Sequence, residues 1–265
     1  MASEKKVAVM TGAASGFGQV VAEDMAKKGW KVVILDMKQA DGEKVAESIN
    51  GDFFQVDVRS WSSQYVAFQK VWNKHGRIDF VFANAGVIDR VDHFAAGNDD
   101  FNPETAPDTS ATEVNFLGAT YTALLGMKYL RQNSPPGGDI IMTSSGSGIY
   151  STPTVPYYCG AKHGVTGFGR AAGERLAPEG IRVNVLVPGM VQTNLMSADM
   201  WKLMDSAYFT PPSHLATAVS DILGKKVSGK VCEASIDKLF YRDPPTDFPD
   251  DGQRYVITGT KDWRT

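Results

Sequence analysis

The sequence predicts an α/β fold in which a doubly wound, seven-stranded parallel sheet carries helices on both faces. Short apolar runs alternate with longer helical patterns as far as about residue 236, and this alternation is typical of parallel sheets. A glycine-rich loop follows the first apolar run. The 265 residues, of which 43% are hydrophobic and 22% charged, suit one globular α/β domain.

Composition argues against several classes of function. The net charge is −3 and there is no basic run, so we expect neither nucleic acid nor an anionic membrane as a partner. Two cysteines, Cys159 and Cys232, predict reduced thiols and no zinc site. His163 and His214 have no second ligand at metal spacing and are interpreted as structural. These cysteines and histidines therefore predict a protein that binds no metal. No apolar run approaches the ~18 residues of a membrane span, so we predict a cytoplasmic protein.

The first strand and helix enclose a glycine loop. The apolar run 6–11 ends at this loop, and a helical pattern follows it. Glycines allow the backbone to turn tightly and to approach a pyrophosphate, which the positive end of the helix then faces. We expect a dinucleotide cofactor, which contains such a pyrophosphate, to contact Gly12, Ser15, Gly16, Phe17 and Gly18. The alternative is a glycine-rich turn that has no ligand.

The second strand, 31–35, ends at Asp36. A carboxylate at this position accepts hydrogen bonds from the adenosine ribose and repels a 2′-phosphate, which favours NAD over NADP. Ser15 is not basic and Met37 is apolar, and both agree with NAD. Lys38 is the one residue that favours NADP. The alternative for Asp36 is an exposed helix cap.

The next two strands bring further candidates to the same edge of the sheet. A helix over about 39–49 and a strand over 53–56 precede Asp57 and Val58, which we expect to border the adenine. Asp57 is equally suited to cap the following helix, which ends near His75. A fourth strand, 78–83, is followed by Asn84, Ala85 and Gly86. Ligands bind at this edge of open parallel sheets.

The segment 87–112 is interpreted as a solvated surface excursion and not as a metal site. It contains one basic residue, Arg90, and six acidic residues, which are Asp89, Asp92, Asp99, Asp100, Glu104 and Asp108. A long helix over about 110–133 follows and contains Asn115, which spacing alone does not select.

The stretch from the fifth strand to the next helix contains a proton-transfer pattern. Ser145 follows strand 139–143, and Tyr158 and Lys162 stand at i and i+4 on a helix that ends near Leu176. The two side chains therefore share one face. A nearby ammonium favours the phenolate, so we predict that the pKa of Tyr158 is lowered toward working pH. By itself, Tyr-x-x-x-Lys is also common on solvated helix faces.

Taken together, these residues resemble the short-chain dehydrogenase/reductase family over about residues 5–236. The matching motifs are Thr11-Gly12-x-x-x-Gly16-x-Gly18, Asn84-Ala85-Gly86, Asn115, Ser145, Tyr158-x-x-x-Lys162 and Pro188-Gly189-x-x-x-Thr193. One departure is Ala83, where the family often has a further asparagine. The apolar run 181–187 predicts a sixth strand. The resemblance implies a single Rossmann domain over residues 1–236 and a C-terminal tail over 237–265.

The resemblance also implies roles for the site residues. Tyr158 would be the general acid/base, Ser145 would polarise the substrate oxygen, and Lys162 would hold the nicotinamide ribose and lower the tyrosine pKa. Asn115 would hold a water that relays the proton. The nicotinamide would lie against Pro188, Gly189, Val191 and Thr193. Family members commonly pair the helices that carry Asn115 and Tyr158, which implies a homodimer or homotetramer.

A closer similarity is to members of the 15-hydroxyprostaglandin dehydrogenase type. The residues that carry it are the runs 158–164, 211–213 and 229–231. It implies NAD-dependent oxidation of a hydrophobic secondary alcohol. Members that act on prostaglandins have a glutamine three residues before the tyrosine, and Val155 stands there. The similarity therefore does not extend to a prostaglandin substrate.

The segment 189–213 is expected to cover the substrate as a lid, because its methionines and aromatic residues suit a bulky apolar ligand. The alternative for about half of these residues is ordinary core packing. Two other functions remain open: an NADPH-dependent carbonyl reductase of a biosynthetic pathway, and a non-redox or NADH-sensing protein on the same fold.

Overall fold

In a computed structural model, the described part of the chain consists of residues 5–94, 102–245, 247, 249–254 and 256. Within it, the strands form one sheet in the order β3-β2-β1-β4-β5-β6-β7-β8. The strands are β1 (Val7–Thr11), β2 (Lys31–Asp36), β3 (Asp52–Gln55), β4 (Phe80–Ala83), β5 (Gly138–Thr143), β6 (Ile181–Pro188), β7 (Val231–Ser235) and β8 (Lys238–Arg242). The doubly wound α/β fold is confirmed.

The sheet has one strand more than predicted. Strands β1 to β7 pair in parallel, whereas β8 pairs with β7 in antiparallel fashion. A two-residue turn at Ile236 and Asp237 joins them, and Ile236 has a φ of 54°. This strand lies in the segment that was predicted as a tail. Its residues alternate between exposed and half-buried, as expected for an edge strand with one solvated face.

Helices cover both faces of the sheet, and each face has its own apolar core. Residues of α3, α5 and α6 pack on one face, and residues of α1, α2 and α8 pack on the other. The helices are α1 (Gly16–Lys27), α2 (Gln39–Ser48), α3 (Trp61–His75), α4 (Ser110–Thr112), α5 (Ala119–Leu130), α6 (Pro156–Leu176), α7 (Ala198–Lys202), α8 (Pro212–Lys225) and α9 (Asp251–Arg254).

The long helix predicted over about 110–133 is not uniform. Between α4 and α5 the chain forms a π-helical turn, Glu113–Gly118, and α5 ends at Leu130. A π-helical turn holds one more residue than an α-helical turn and often marks a functional site. Here it contains Asn115, which is fully buried.

The two least regular predicted segments are described only in part. Asp99 and Asp100 of the acidic segment lie outside the described residues, as do 246, 248, 255 and 257–265 of the predicted tail. The predicted division at residue 236 stays a prediction, although the sheet extends beyond it through β8. Among the helices of the described residues, none has the length and apolar character needed to cross a bilayer.

Candidate active site

The glycine loop and the start of α1 leave no room for a side chain at Gly12 or Gly18. A Cβ on Gly12, which has a φ of 66°, would lie 2.6 Å from Cα of Ala85, and one on Gly18 would lie 2.6 Å from Nδ2 of Asn84. Only glycine permits these approaches. The loop therefore lies directly against the segment that follows β4.

The N-terminus of α1 suits an anion. Ser15 is its N-cap residue, but no side chain caps the helix, and its first turn contains no acidic residue. The N–H groups of such a terminus, together with the helix dipole, attract negative charge. The predicted residues Gly16 and Phe17 form the start of this turn.

Asp36 ends β2 beside the glycine loop. Its Oδ2 accepts a hydrogen bond from the Ala14 amide at 3.1 Å, and its Oδ1 accepts one from the Lys38 amide at 3.0 Å. Each carboxylate oxygen can accept a further bond. Lys38, and not Asp36, is the N-cap residue of α2. Met37 is exposed.

Asp57 does not cap α3, so that alternative is wrong. Ser60 is the N-cap residue, and its hydroxyl accepts a hydrogen bond from the Ser63 amide. Asp57 instead pairs with Arg59 at 2.7 Å, and the hydrogen bond from Arg59 lowers the pKa of its carboxyl. The neighbouring Val58 is buried and lies against Gly118.

The residues after β4 connect three strands through buried polar bonds. Asn84 donates from Nδ2 to the Gly12 carbonyl at 3.0 Å and accepts at Oδ1 from the Thr143 hydroxyl at 3.0 Å. The Thr11 hydroxyl accepts from the amides of Asn84 and Ala85. The edges of β1, β4 and β5 are thereby held together. Thr11 belongs to the predicted glycine motif, whereas Thr143 was not predicted as a site residue.

Asn115 is bonded to the same segment on both sides. Its Oδ1 accepts from the Val87 amide at 3.1 Å, and its Nδ2 donates to the Val87 carbonyl at 2.7 Å and to the Ala111 carbonyl at 2.7 Å. A Cβ on Gly86 would lie 2.8 Å from Oδ1 of Asn115 and 3.6 Å from Nζ of Lys162. The structure thus places Asn115 close to Lys162.

Lys162 is a buried cation. Its Nζ donates to the Thr143 carbonyl at 2.8 Å and lies 5.5 Å from the centre of the Tyr158 ring. Burial lowers the pKa of its ammonium to about 7. The Ser144 hydroxyl donates to the Lys162 carbonyl at 2.8 Å, which connects β5 to this turn of α6. Ser144 was missed in the sequence because its role depends on that packing.

Tyr158 and Ser145 are brought together as predicted, but the predicted pKa direction is wrong. Burial raises the pKa of the Tyr158 phenol; the hydrogen bond with Ser145 lowers it, and the charge of Asp89 raises it further. The tyrosine is buried, and removing an anion from water disfavours the ionised form. The spacing of tyrosine and lysine contains no information about this burial.

The predicted nicotinamide residues follow β6. Pro188 ends that strand, and the Gly189 amide donates to the Ala234 carbonyl at 2.7 Å. Val191 is buried. A Cβ on Gly16 would lie 3.3 Å from Cγ2 of Thr193, so this segment reaches the glycine loop.

The lid segment combines core and exposed residues. Trp201 is buried, donates from Nε1 to the Thr193 carbonyl at 2.8 Å, and stacks edge-on against Phe209. The exposed apolar residues are Met190, Leu195, Met200, Leu203 and Tyr208. Core packing, the predicted alternative, therefore holds for part of the segment, whereas the cover of a substrate by its exposed residues stays a prediction.

The acidic segment is not entirely solvated, which corrects its interpretation as a surface excursion. Asp89 accepts hydrogen bonds from the backbone amides of Tyr157 and Tyr158 at 3.0 Å and 2.8 Å. It therefore lies directly against the helix that carries the predicted general acid/base. The sequence gives no signal for this contact.

Other titratable residues have structural surroundings. His163 shares a hydrogen bond with the Cys159 carbonyl, and His214 with the Lys238 carbonyl. In the described part of the chain both cysteines are free, and no group of three His, Cys, Asp or Glu side chains is placed to hold a metal ion.

The arrangement fits a nicotinamide dinucleotide. The start of α1 is uncapped, and Gly12 and Gly18 leave no room for a side chain beside it. An acidic residue, Asp36, ends β2, and a set of Ser, Tyr and Lys residues lies at the same edge of the sheet. Fold and site together define the class of a dinucleotide-binding oxidoreductase.

Comparison with known proteins agrees with that class. Residues 6–202 match the short chain dehydrogenase family. A short-chain dehydrogenase/reductase of Penicillium rubens, prx6, is 32% identical over 92% of this chain and 87% of its own. Human 15-hydroxyprostaglandin dehydrogenase [NAD(+)] is 32% identical over 73% of this chain and 71% of its own. The chain belongs to the short-chain dehydrogenase/reductase family and is an oxidoreductase that acts on CH–OH or carbonyl groups.

Solved structures show the same fold. A 3-ketoacyl-(acyl-carrier-protein) reductase from Brucella melitensis, complexed with NADH, has a TM-score of 0.76 and 25% identity, covering 88% of this chain and 97% of its own. A short-chain type dehydrogenase/reductase from Mycobacterium marinum has a TM-score of 0.75 and 26% identity, covering 86% and 93%.

Proposed function

We propose that this protein is an NAD-dependent oxidoreductase that moves a hydride between the nicotinamide and the carbinol carbon of a hydrophobic secondary alcohol or ketone. The observation that carries the proposal is that Tyr158 and Lys162 are both buried one helical turn apart, with Nζ of Lys162 5.5 Å from the centre of the tyrosine ring and Ser145 close enough to lower the pKa of the phenol. A proton donor or acceptor beside a second polarising hydroxyl is the arrangement that alcohol oxidation needs.

In the oxidative direction, NAD⁺ held by the glycine loop and the segment 188–193 would supply the hydride acceptor for the carbinol C–H bond, so that the alcohol would become a carbonyl. Tyr158 takes the hydroxyl proton, and Ser145 holds the same oxygen by a hydrogen bond. Lys162 and Asn115 lie near each other, because a Cβ on Gly86 would be 3.6 Å from Nζ of Lys162 and 2.8 Å from Oδ1 of Asn115. We assign to Lys162 the nicotinamide ribose and to Asn115 a water that passes the proton on.

We assign NAD, not NADP, on the basis of Asp36. Its carboxylate stands at the end of β2 beside the Ala14 amide, where a 2′-phosphate would meet a negative charge. Gly12, Gly18 and the uncapped start of α1 are assigned to the pyrophosphate, and Asp57 and Val58 to the adenine. The nicotinamide is assigned to the segment 188–193.

The apolar lid residues support a bulky apolar substrate. Five large apolar side chains of this segment are exposed to solvent, and burying them against an apolar ligand would be favourable. We further propose a cytoplasmic enzyme that assembles as a homodimer or homotetramer, which is the common arrangement in this family.

The second candidate is an NADPH-dependent carbonyl reductase that works in the opposite direction. Lys38 at the start of α2 supports the use of NADPH. The likeness to a solved ketoacyl reductase, which is complexed with NADH, supports only the reductive direction. A non-redox or NADH-sensing role is the third candidate, and the proximity of Ser145 and Tyr158 argues against it, because a sensor needs no proton transfer.

The test measures nicotinamide absorbance with NAD⁺ or NADP⁺ and secondary alcohols graded from small to lipid-sized. We expect turnover with NAD⁺ that increases with apolar bulk. Tyr158→Phe should lower kcat by about 10²–10⁴-fold, the usual contribution of a general acid/base, with NADH affinity nearly unchanged. Retention of more than about a hundredth of the rate would remove Tyr158 from this role.

Cofactor choice is tested by two substitutions. Asp36→Ala should reduce the preference for NAD⁺ over NADP⁺ in kcat/KM, whereas Lys38→Ala should leave it unchanged. The opposite pattern, with loss of NADP⁺ activity in Lys38→Ala, would favour the carbonyl reductase. Tight NADH binding without turnover in either direction would favour the sensing role.

A further inference from the structure

Helix α6 carries Tyr158 but has no capping side chain of its own. Val155 occupies the N-cap position and Pro156 the first turn, and the N-cap side chain forms no capping hydrogen bond. Proline is common at this position because its missing N–H would be unpaired. The amides of Tyr157 and Tyr158, however, still require acceptors.

Asp89 supplies both acceptors from a distant part of the chain. Its Oδ2 accepts from the Tyr157 amide at 3.0 Å, and its Oδ1 accepts from the Tyr158 amide at 2.8 Å. Charge-assisted hydrogen bonds to a helix N-terminus are among the stronger ones in proteins. The backbone of the predicted general acid/base is therefore held directly by this carboxylate.

The segment that contains Asp89 contacts α6 in a second way and also contacts the rest of the site. The Tyr157 ring packs edge-on against His93, with 5.8 Å between the ring centres. It packs at a tilt against Phe94, with 6.4 Å between the ring centres. Two residues before Asp89, Val87 bonds to both sides of the Asn115 carboxamide. One segment after β4 thus connects Asn115 with Tyr158.

We propose that Asp89 is a positioning residue for the reaction, which fixes the first turn of α6 and thereby the place of the Tyr158 side chain. This inference rests on the proposed function for its catalytic meaning. Asp89 acts through the tyrosine and is not itself in contact with substrate or cofactor.

Among the described residues, the polar and charged groups that face Tyr158 come from three elements. Asp89 comes from the segment after β4, Lys162 from α6 itself, and Ser145 from the segment after β5. The charge of Asp89 raises the pKa of the phenol, whereas the Ser145 hydrogen bond lowers it. Removal of the Asp89 charge should therefore lower the pH at which Tyr158 ionises.

The experiment follows the Tyr158 phenol directly by NMR of protein that contains ¹³Cζ-labelled tyrosine. The Tyr158 signal among the nine tyrosines is assigned by its loss in Tyr158→Phe. Asp89→Asn, which keeps one acceptor oxygen but no charge, should titrate at lower pH than the wild type. Asp89→Glu, which keeps the charge, should restore much of the original titration.

Hydrogen exchange measures the positioning itself. Loss of a cap increases local opening, so the amides of the first turn of α6 should exchange about fivefold faster or more in Asp89→Asn. Ser60→Ala is the matched control, because it removes the cap of a different helix, α3. It should change neither the titration of Tyr158 nor exchange in α6.

Turnover is measured on the same proteins. Asp89→Asn should lower kcat by about tenfold, because a misplaced catalytic group loses rate steeply, while NADH affinity stays within about twofold. The acid limb of the pH–rate profile should move to lower pH together with the NMR titration.

The outcomes separate this inference from the proposed function. An unchanged titration and unchanged exchange in Asp89→Asn would overturn the positioning role, even in an active enzyme. A shifted titration and faster exchange in a protein without dehydrogenase activity would support the positioning of Tyr158 and would contradict the proposed reaction instead.

Discussion

Two regions of the candidate site, the cofactor end and the substrate end as we propose them, are held in place by different means. At the cofactor end, Gly12 and Gly18 lie so close to the segment after β4 that a methyl group would overlap it, and Thr11 and Asn84 form buried hydrogen bonds. At the substrate end, large apolar side chains such as Leu203 and Tyr208 are exposed. Close packing requires particular residues at particular positions. An exposed apolar surface requires only that its side chains are apolar, and their order along the chain can vary.

The largest effect of this difference is expected for Gly18→Ala. The added Cβ would meet Nδ2 of Asn84 at 2.6 Å and overlap the Gly12 carbonyl, so the loop backbone must move. Overpacking of this kind costs about 1–3 kcal/mol or more. We expect NADH affinity, measured by fluorescence titration, to fall by about 5- to 150-fold if that cost falls on the binding loop.

Gly224→Ala is the matched control for this prediction. Gly224 lies in α8, and an added Cβ would have no neighbour within 4 Å. Alanine in a helix is more favourable than glycine by about 0.5–1 kcal/mol, so thermal stability should rise and NADH affinity should stay the same. Equal losses of affinity in both variants would show that close packing of the glycine loop is not the cause.

Trp201 lies in the lid segment, but it is packed as closely as the residues at the cofactor end. Trp201 is 7% exposed and bonds to the Thr193 carbonyl. Trp201→Ala should lower the free energy of unfolding by about 2–3 kcal/mol, somewhat below the usual cost for a core tryptophan because the helix is short. This loss in the free energy of unfolding is measured by urea denaturation, followed by circular dichroism. A change below about 0.5 kcal/mol would place Trp201 with the exposed lid residues.

A further prediction concerns pH and the buried Lys162. Its pKa is about 7 in the folded protein, whereas the ordinary value for a lysine side chain is 10.5. Between these values the unfolded chain binds the extra proton, so stability rises with pH. From pH 7 to pH 9 the contribution is about 2 kcal/mol.

Lys162→Met removes this contribution. Its free energy of unfolding, measured in urea at pH 7 and at pH 9, should increase by less over this range than that of the wild type. The absolute stability of the variant also reflects the lost bond to the Thr143 carbonyl, so the comparison is made on the pH dependence alone. Parallel pH profiles would exclude a shifted titration of Lys162.

The smallest effect is expected for Leu203→Ser at the substrate end. Leu203 is 87% exposed, so stability should change by less than about 0.5 kcal/mol. If this side chain is covered by a bulky substrate, KM for a lipid-sized alcohol should rise about three- to fivefold, with no change for a small alcohol. Equal KM values would show that the substrate does not reach Leu203.

The same contrast explains how much of the molecule could be predicted from its sequence. The α/β fold and the element order were predicted because alternating apolar runs and glycine punctuation are local signals. Ser145 and Tyr158 were predicted as a pair, and the structure brings them together. Their roles in the reaction remain part of the proposal.

What the sequence missed depends on contacts between distant segments. Strand β8 was not predicted because the prolines and aspartates after it obscure a short alternating run, and its pairing depends on the turn at Ile236. Asp89 lies in a segment that is acidic and irregular, and nothing local indicates that it meets Tyr158. The pKa of Tyr158 has the opposite direction from the prediction because burial outweighs the effects of its neighbours.

The π-helical turn Glu113–Gly118 limits where the chain can gain or lose a residue. Deletion of Leu117 would allow an ordinary α-helix to form, and every residue before it would rotate by about 100° relative to α5. Asn115 would then turn away from Val87, to which it bonds on both sides. Length changes are therefore tolerable in the exposed stretch 102–108 and not between Asn115 and Ala119, so the spacing of these residues is fixed even where their identity is not.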